Sequence, residues 1–187
     1  MKAIVVHNEK GSVDLKWEEI ADVSPGPDDV LLDIHATAVN RADLLQARGL
    51  YPAPPGDSPI LGLELAGQIK AVGRKVEAWV PGDRVCALAP GGGYAEQAVL
   101  SQGLLIPLPD SWSYVKGAAV PEVWLTAYAN LCHEGAMRAG ETVLVHAGAS
   151  GVGTATIQIG RELGTRIVVT AGSDKKLARC RELGAAL

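Results

Sequence analysis

The chain contains no phenylalanine, and its aromatics are only four Trp and four Tyr among 187 residues. Any core must therefore be built from Leu, Val, Ile and Ala. Cysteine is sparse too. Cys86, Cys132 and Cys180 are far apart and no C-x-x-C pair exists, which argues against a disulfide framework or a structural zinc loop. No segment is apolar for long enough to span a membrane as a helix. The opening run "KAIVVH" is too short for a signal peptide and reads as a first strand, so cytoplasmic residence is the expectation. Positive charge is not in excess. The net charge is −4, and nothing argues for a nucleic-acid surface. What remains, 48% hydrophobic and 20% charged residues, suits a globular chain of one or two domains without repeats or low-complexity segments.

The first 110 residues or so are broken into short apolar or alternating runs. These are "KAIVVH", "LKWEEI", "VLLDIHATAV", "AGQIKAVG", "DRVCALA" and "YAEQAVL", separated by "SPGPDD", "YPAPPGDSP", "VPGD" and "APGGG". Proline fixes φ and glycine supplies positive φ, so these separators read as turns and the runs as strands. Eight of the eleven prolines lie before position 100. One helical piece, "NRADLLQARG" over 40–49, interrupts the strands, with Asn40 placed to cap it. "APGGGYAE" precedes a strand rather than a helix and reads as a turn, not a phosphate loop. His7 and His35 fall in strands with no ligand partner nearby.

The texture changes near Pro121. "PEVWLTAYANLCHEG" places apolar residues at Val123, Leu125, Ala127, Tyr128 and Leu131, which predicts a mostly buried helix. Strand "ETVLVH", helix "GVGTATIQIGREL", strand "RIVVTA" and helix "DKKLARCRELG" follow. Strand and helix in alternation predict a parallel sheet.

Between "ETVLVH" and its helix lies "AGASGVG", with glycines at 148, 151 and 153. The first turn of a helix leaves N–H groups unpaired, and its dipole favours an anion. Glycines there allow a tight turn, a close approach of pyrophosphate to the backbone and close packing of helix on strand. A glycine-rich match alone is weak, but this one follows a strand and opens a helix inside a βαβ unit, which is the context a dinucleotide site requires. The second strand then ends "VVTAGSDKK". In such a site an acidic residue at this strand end holds the 2′-hydroxyl of NAD, and a basic neighbourhood takes the 2′-phosphate of NADP. Gly172 and Ser173 stand at the strand end, and Lys175 and Lys176 follow, so NADPH is favoured over NADH. Asp174 fits two roles, a ribose-hydroxyl acceptor or a cap for the next helix, of which capping is the expectation.

Several stretches in order, "AVNRADLLQARGLYPAPPG", "ILGLELAG", "PGDRVCAL", "GGGYAEQAV", "AAVPEVWLTAY", "VLVHAGASGVGTATIQIGRELG" and "VVTAGSDKKL", cover essentially the whole chain. Together they resemble the zinc-independent quinone oxidoreductases of the medium-chain dehydrogenase/reductase superfamily. The resemblance implies an α/β protein: a GroES-like, β-rich catalytic domain over 1–120, followed by a Rossmann dinucleotide-binding domain over 121–187. It implies NADPH-dependent reduction of quinones or conjugated carbonyls by hydride transfer, without zinc. Zinc-dependent relatives carry a Cys where this chain has Asn40–Arg41, and a His in G-H-E where it reads Gly62-Leu63-Glu64. The hydrocarbon side chain of Leu63 cannot bind a metal.

Carried over residue by residue, the resemblance makes Asn40 and Tyr51 the catalytic candidates. Asn40 would lie near the nicotinamide ribose or amide, and Tyr51 at the substrate mouth. Thr126 would meet the nicotinamide ribose. Ser150, Gly151, Val152 and Gly153 would hold the pyrophosphate, and Gly172, Ser173 and Lys176 the 2′-phosphate. Plainer roles stay open for three of them: helix cap for Asn40, a hydroxyl bonding its own helix for Thr126, and loop anchor for Tyr51. His146 lies beside the glycine turn, within sight of a cofactor, though packing is the expectation.

Two departures bear on function. The third fingerprint position is Ser150 where glycine is usual. The chain also ends at "ELGAAL", where the family's third Rossmann strand would begin, so the resemblance implies an N-terminal part with an incomplete, truncated Rossmann domain. Open sheet edges would then argue against turnover by these residues alone. Full-length relatives would pair as homodimers. Two other readings remain: an enoyl or alkenal reductase of the same superfamily, and a non-catalytic nucleotide-binding, crystallin-like or RNA-binding protein.

Overall fold

The computed structural model describes residues 1–9 and 12–186. The chain divides into two compact units, Met1–Glu122 and Val123–Leu187.

The first unit is strand-rich. β1 (Lys2–Glu9) and β2 (Ser12–Glu19) form an antiparallel ribbon in which Ile4 faces Trp17 and Val6 faces Leu15. β2 leaves Val13, Leu15 and Trp17 on the surface despite its alternation. A five-stranded sheet follows, in the order β6-β3-β4-β5-β7. Its strands are β3 (Asp29–Thr37), β4 (Glu64–Val72), β5 (Arg84–Leu88), β6 (Gln97–Ser101) and β7 (Leu105–Pro107). Every neighbouring pair is antiparallel.

Alternation decides which face is dry. Val30 and Leu32 of β3, Leu65 and Ile69 of β4, Val85 and Ala87 of β5, and Ala98 and Leu100 of β6 form one buried cluster. Gly67 sits in the middle of that row on β4, and a Cβ there would come within 2.2 Å of the Asp33 carbonyl oxygen. The opposite face packs Ala66 and Cys86 under Ala118 of α2 (Tyr114–Ala118). Here α2 is capped by Ser113, whose hydroxyl accepts the Lys116 N–H. The short helix α1 (Arg41–Gln46) enters the unit after β3. It stops earlier than the expected 40–49 because Gly49 turns at φ +73°.

Helix α3 (Pro121–Tyr128) continues into a π-helical turn over Ala129–Glu134. The expectation of a mostly buried helix holds for Ala127 and Leu131 and fails for Leu125 and Tyr128, which are 40% and 49% exposed. In the second unit β8 (Thr142–Val145) and β9 (Arg166–Val169) pair in parallel, in register Val143 to Ile167 and Val145 to Val169. The crossover between them is α4 (Gly151–Glu162), and α5 (Asp174–Leu183) follows β9. Ile157, Ile167, Val169 and Cys180 make the core of this unit. Gly160 sets the helix-to-sheet spacing: a Cβ there would lie 2.3 Å from Ile167 Cγ1. Ala186 then bridges in parallel to Val168, its N–H donating to the Ile167 carbonyl at 2.7 Å. Among the described residues no helix is long and apolar enough to cross a membrane.

Candidate functional site

Two places carry the residues singled out in the sequence, one on each unit.

On the second unit the segment from β8 to α4 forms a tight turn. The Gly148 N–H donates to the Thr170 carbonyl at 2.9 Å, holding the turn against the end of β9. The three glycines serve close approach rather than positive φ. A Cβ on Gly148 would meet Val169 Cβ at 2.5 Å, one on Gly151 would meet Val123 Cγ1 at 2.7 Å, and one on Gly153 would meet the Ala147 and Gly148 carbonyl oxygens at 2.6 Å. The positive φ of the turn falls instead on Ala147, at +54°. A left-handed alanine costs about 1 kcal/mol, so surrounding contacts must hold it there. Ser150 is the N-cap of α4, its Oγ accepting the Gly153 N–H at 3.1 Å. The first intrahelical bond runs from Thr154 N–H to the Ser150 carbonyl at 2.8 Å. The N–H groups of Gly151 and Val152 precede it, at the positive end of a helix of 12 residues.

The end of β9 is small and open. Nothing lies within 4 Å of where a Gly172 Cβ would be. The expected cap of α5 was Asp174; the structure corrects this. Ser173 is the N-cap, accepting the Lys176 N–H at 3.4 Å, while Asp174 is the acidic residue of the first turn. Ser173 has the extended backbone a cap requires, and its one-carbon hydroxyl reaches the third N–H beyond it. Lys176 is exposed beside it. His146 Nδ1 lies 3.1 Å from the Thr170 hydroxyl. Thr126 is half-buried on α3, and its carbonyl accepts the Asn130 Nδ2 at 2.8 Å.

On the first unit, buried carboxyls gather around Asn40. Asn40 is the N-cap of α1, and its N–H donates to Asp43 Oδ2 at 2.7 Å. Its Nδ2 donates to Glu64 Oε1 at 2.8 Å. Glu64 Oε2 accepts the Glu122 N–H at 2.9 Å. The Tyr94 hydroxyl donates to Asp43 Oδ2 at 2.9 Å. Asp43 and Glu64 are each 1% exposed. Burial, then the hydrogen bond to Asp43, pushes the Tyr94 hydroxyl well above the usual phenol range. Burial, then the nearby Glu64 and Asp43 carboxyls, pushes the Glu122 carboxyl up. The cap role of Asn40 is therefore observed, and its amide is engaged with Glu64.

Beside this network is a cavity of about 470 Å³, lined by Gln46, Tyr51, Leu63, Leu88, Ala89 and Glu122 among others. It brings Tyr51 and Leu63 together, while Asn40 lies outside its wall. Residue-by-residue reading missed Glu64, Asp43, Tyr94 and Glu122. Two signals were present: a carboxyl inside the apolar run "ILGLELAG", and an acid three residues after a cap residue at Asn40. Among the described residues no group of three His, Cys, Asp or Glu is placed to hold a metal ion.

Comparisons with known proteins place these features. The alcohol dehydrogenase GroES-like domain family matches residues 26–110. The quinone oxidoreductase of Mus musculus is 38% identical over 177 residues, covering 94% of this chain and 54% of the mouse protein. The crystal structure of Escherichia coli quinone oxidoreductase complexed with NADPH superposes with a TM-score of 0.89 at 29% identity, covering 99% of this chain and 57% of that one. The CurK enoyl reductase structure gives a TM-score of 0.89 at 32% identity, covering 99% and 58%. The chain spans about half the length of the curated quinone oxidoreductases it matches, and 4% of the matched erythronolide synthase of Saccharopolyspora erythraea. In sequence and in fold, the chain is similar to the quinone oxidoreductases of the medium-chain dehydrogenase/reductase superfamily over about half of their length.

Proposed function

We propose that this chain carries the nucleotide turn and the acceptor cavity of an NADPH-dependent reductase of quinones. The observation that carries the reading is the N-terminus of α4. Backbone closes in at Gly153, and the Gly151 and Val152 N–H groups precede the first helical bond. That is a cradle a dinucleotide pyrophosphate fits. Ser150, Gly151, Val152 and Gly153 would hold the pyrophosphate, the Ser150 hydroxyl proton being left to donate while its oxygen accepts from Gly153. Gly172, Ser173 and Lys176 would hold the 2′-phosphate, supported by the open space at Gly172 and the exposed lysine. Thr126 and Asn40 would attend the nicotinamide ribose or amide. Bound there, the nicotinamide supplies hydride chemistry, and the protein supplies position and exclusion of water. Tyr51 on the cavity wall would orient a flat acceptor.

A second reading, reduction of conjugated carbonyls, is favoured by the likeness to the CurK enoyl reductase. Lys176→Ala is expected to weaken NADPH binding about tenfold and to leave NADH binding within about twofold, from the loss of one charge-assisted contact. Equal losses for both cofactors would remove Lys176 from the 2′-phosphate site. Oxidation of NADPH in the presence of benzoquinones, naphthoquinones and α,β-unsaturated thioesters separates the two substrate classes. Turnover confined to thioesters would overturn the quinone reading.

A further inference from the structure

The cavity of the first unit has mostly apolar walls, with Leu63, Leu88 and Ala89 among them. Two carboxyl residues line it. Asp57 is exposed on its loop. Glu122 is half-buried and fixed from its backbone: its N–H donates to Glu64 Oε2 at 2.9 Å, and the preceding Pro121 is fully buried. The titratable groups around Glu122 are Glu64 from β4, Asp43 from α1, Tyr94 bonded to Asp43, and Tyr51 and Asp57 across the cavity. All are acids, and among the described residues no basic side chain forms an ion pair with Glu122.

A carboxyl beside an apolar cavity, with other carboxyls near and no cation paired to it, is driven to keep its proton. The upward displacement already noted for Glu122 agrees in direction. The protonated form has an O–H donor, whereas the ionised form can only accept and would repel a carbonyl oxygen. The cavity volume, about 470 Å³, suits a one- or two-ring acceptor.

We propose that Glu122, as a neutral carboxylic acid, donates the hydrogen bond that recognises the acceptor's carbonyl oxygen in this cavity. The inference rests on the acceptor-cavity reading above and adds to it the residue that recognises the acceptor's oxygen.

The test is a titration with duroquinone without nicotinamide, followed by tryptophan fluorescence at several pH values from acid to mildly alkaline, because burial and the neighbouring carboxyls raise the Glu122 carboxyl above its ordinary value. Affinity of the wild type is expected to fall about tenfold as pH rises, the worth of one hydrogen bond to a carbonyl. Glu122→Gln donates from its amide at every pH, so its affinity is expected to stay flat near the low-pH wild-type value. Glu122→Leu is expected to bind about tenfold more weakly at low pH and also without pH dependence. A Gln variant that keeps the wild-type pH profile, or a folded Leu variant with wild-type affinity, overturns the role of Glu122 and leaves the cavity reading standing. Absence of duroquinone binding in the wild type at every pH overturns the cavity reading and this inference with it.

Discussion

Gly153→Ala is expected to cost the second unit at least about 2 kcal/mol and to weaken NADPH binding more than tenfold. The added methyl would stand 2.6 Å from the Ala147 carbonyl oxygen and from the Gly148 carbonyl carbon and oxygen, all of them backbone. A flexible side chain could swing aside, but these atoms belong to the turn itself. Relief would have to come from shifting α4 away from β8. That would also pull the Gly153 N–H from Ser150 Oγ and re-aim the Gly151 and Val152 N–H groups. Gly172→Ala is the matched control, because its methyl would enter open space at a backbone φ that any residue adopts. Its unfolding temperature is expected to stay within about 1 °C of the wild type, while NADPH affinity falls if the 2′-phosphate occupies that space. Thermal unfolding by circular dichroism and a fluorescence titration check both variants. Wild-type stability and binding in Gly153→Ala would show that the glycine is not needed for close approach.

Glu64→Leu is expected to destabilise the first unit by about 3 kcal/mol, lowering its unfolding temperature by roughly 10 °C. The carboxyl is 1% exposed and accepts from two donors on different elements, Asn40 Nδ2 and the Glu122 N–H. Leucine is similar in size and removes both acceptors at once, so two buried donors lose their partner. Glu64→Gln keeps one amide oxygen and presents an N–H₂ group to the other donor. It is expected to cost about half as much. An unfolding temperature unchanged in both variants would mean that the network around Asn40 adds nothing to the fold.

The parts legible in the sequence were those set by local pattern. The separators "SPGPDD", "VPGD" and "APGGG" marked strand ends because proline and glycine act on their own backbone. The strand, the glycine turn and α4 were readable together because period and turn chemistry change within a few residues. Choices between chemically similar neighbours were less legible. Ser173 and Asp174 are both good caps, and which one takes the extended backbone depends on where β9 lets go. The exposure of Leu125 and Tyr128 was hidden for a related reason: apolar spacing shows which residues share a face, not what the face meets. The network of Asn40, Asp43, Glu64, Tyr94 and Glu122 was out of reach of pattern, since its single hydrogen bonds reach up to 58 positions along the chain and its members come from two helices, a strand and a loop. Of the candidate residues, Asn40 is where the helix-cap alternative proved concrete, and its proposed contact with a nicotinamide is additional to that role.

The central claim is that the turn before α4 is a dinucleotide site that prefers NADPH. It is tested most directly by titrating the folded 187-residue chain with NADPH and NADH in parallel, followed by tryptophan fluorescence. Trp124 lies in the same unit as the turn. The account predicts saturable binding of both, with NADPH tighter by about tenfold or more from its 2′-phosphate contacts. Absence of binding by a chain shown to be folded, or equal affinity for the two nucleotides, would contradict it.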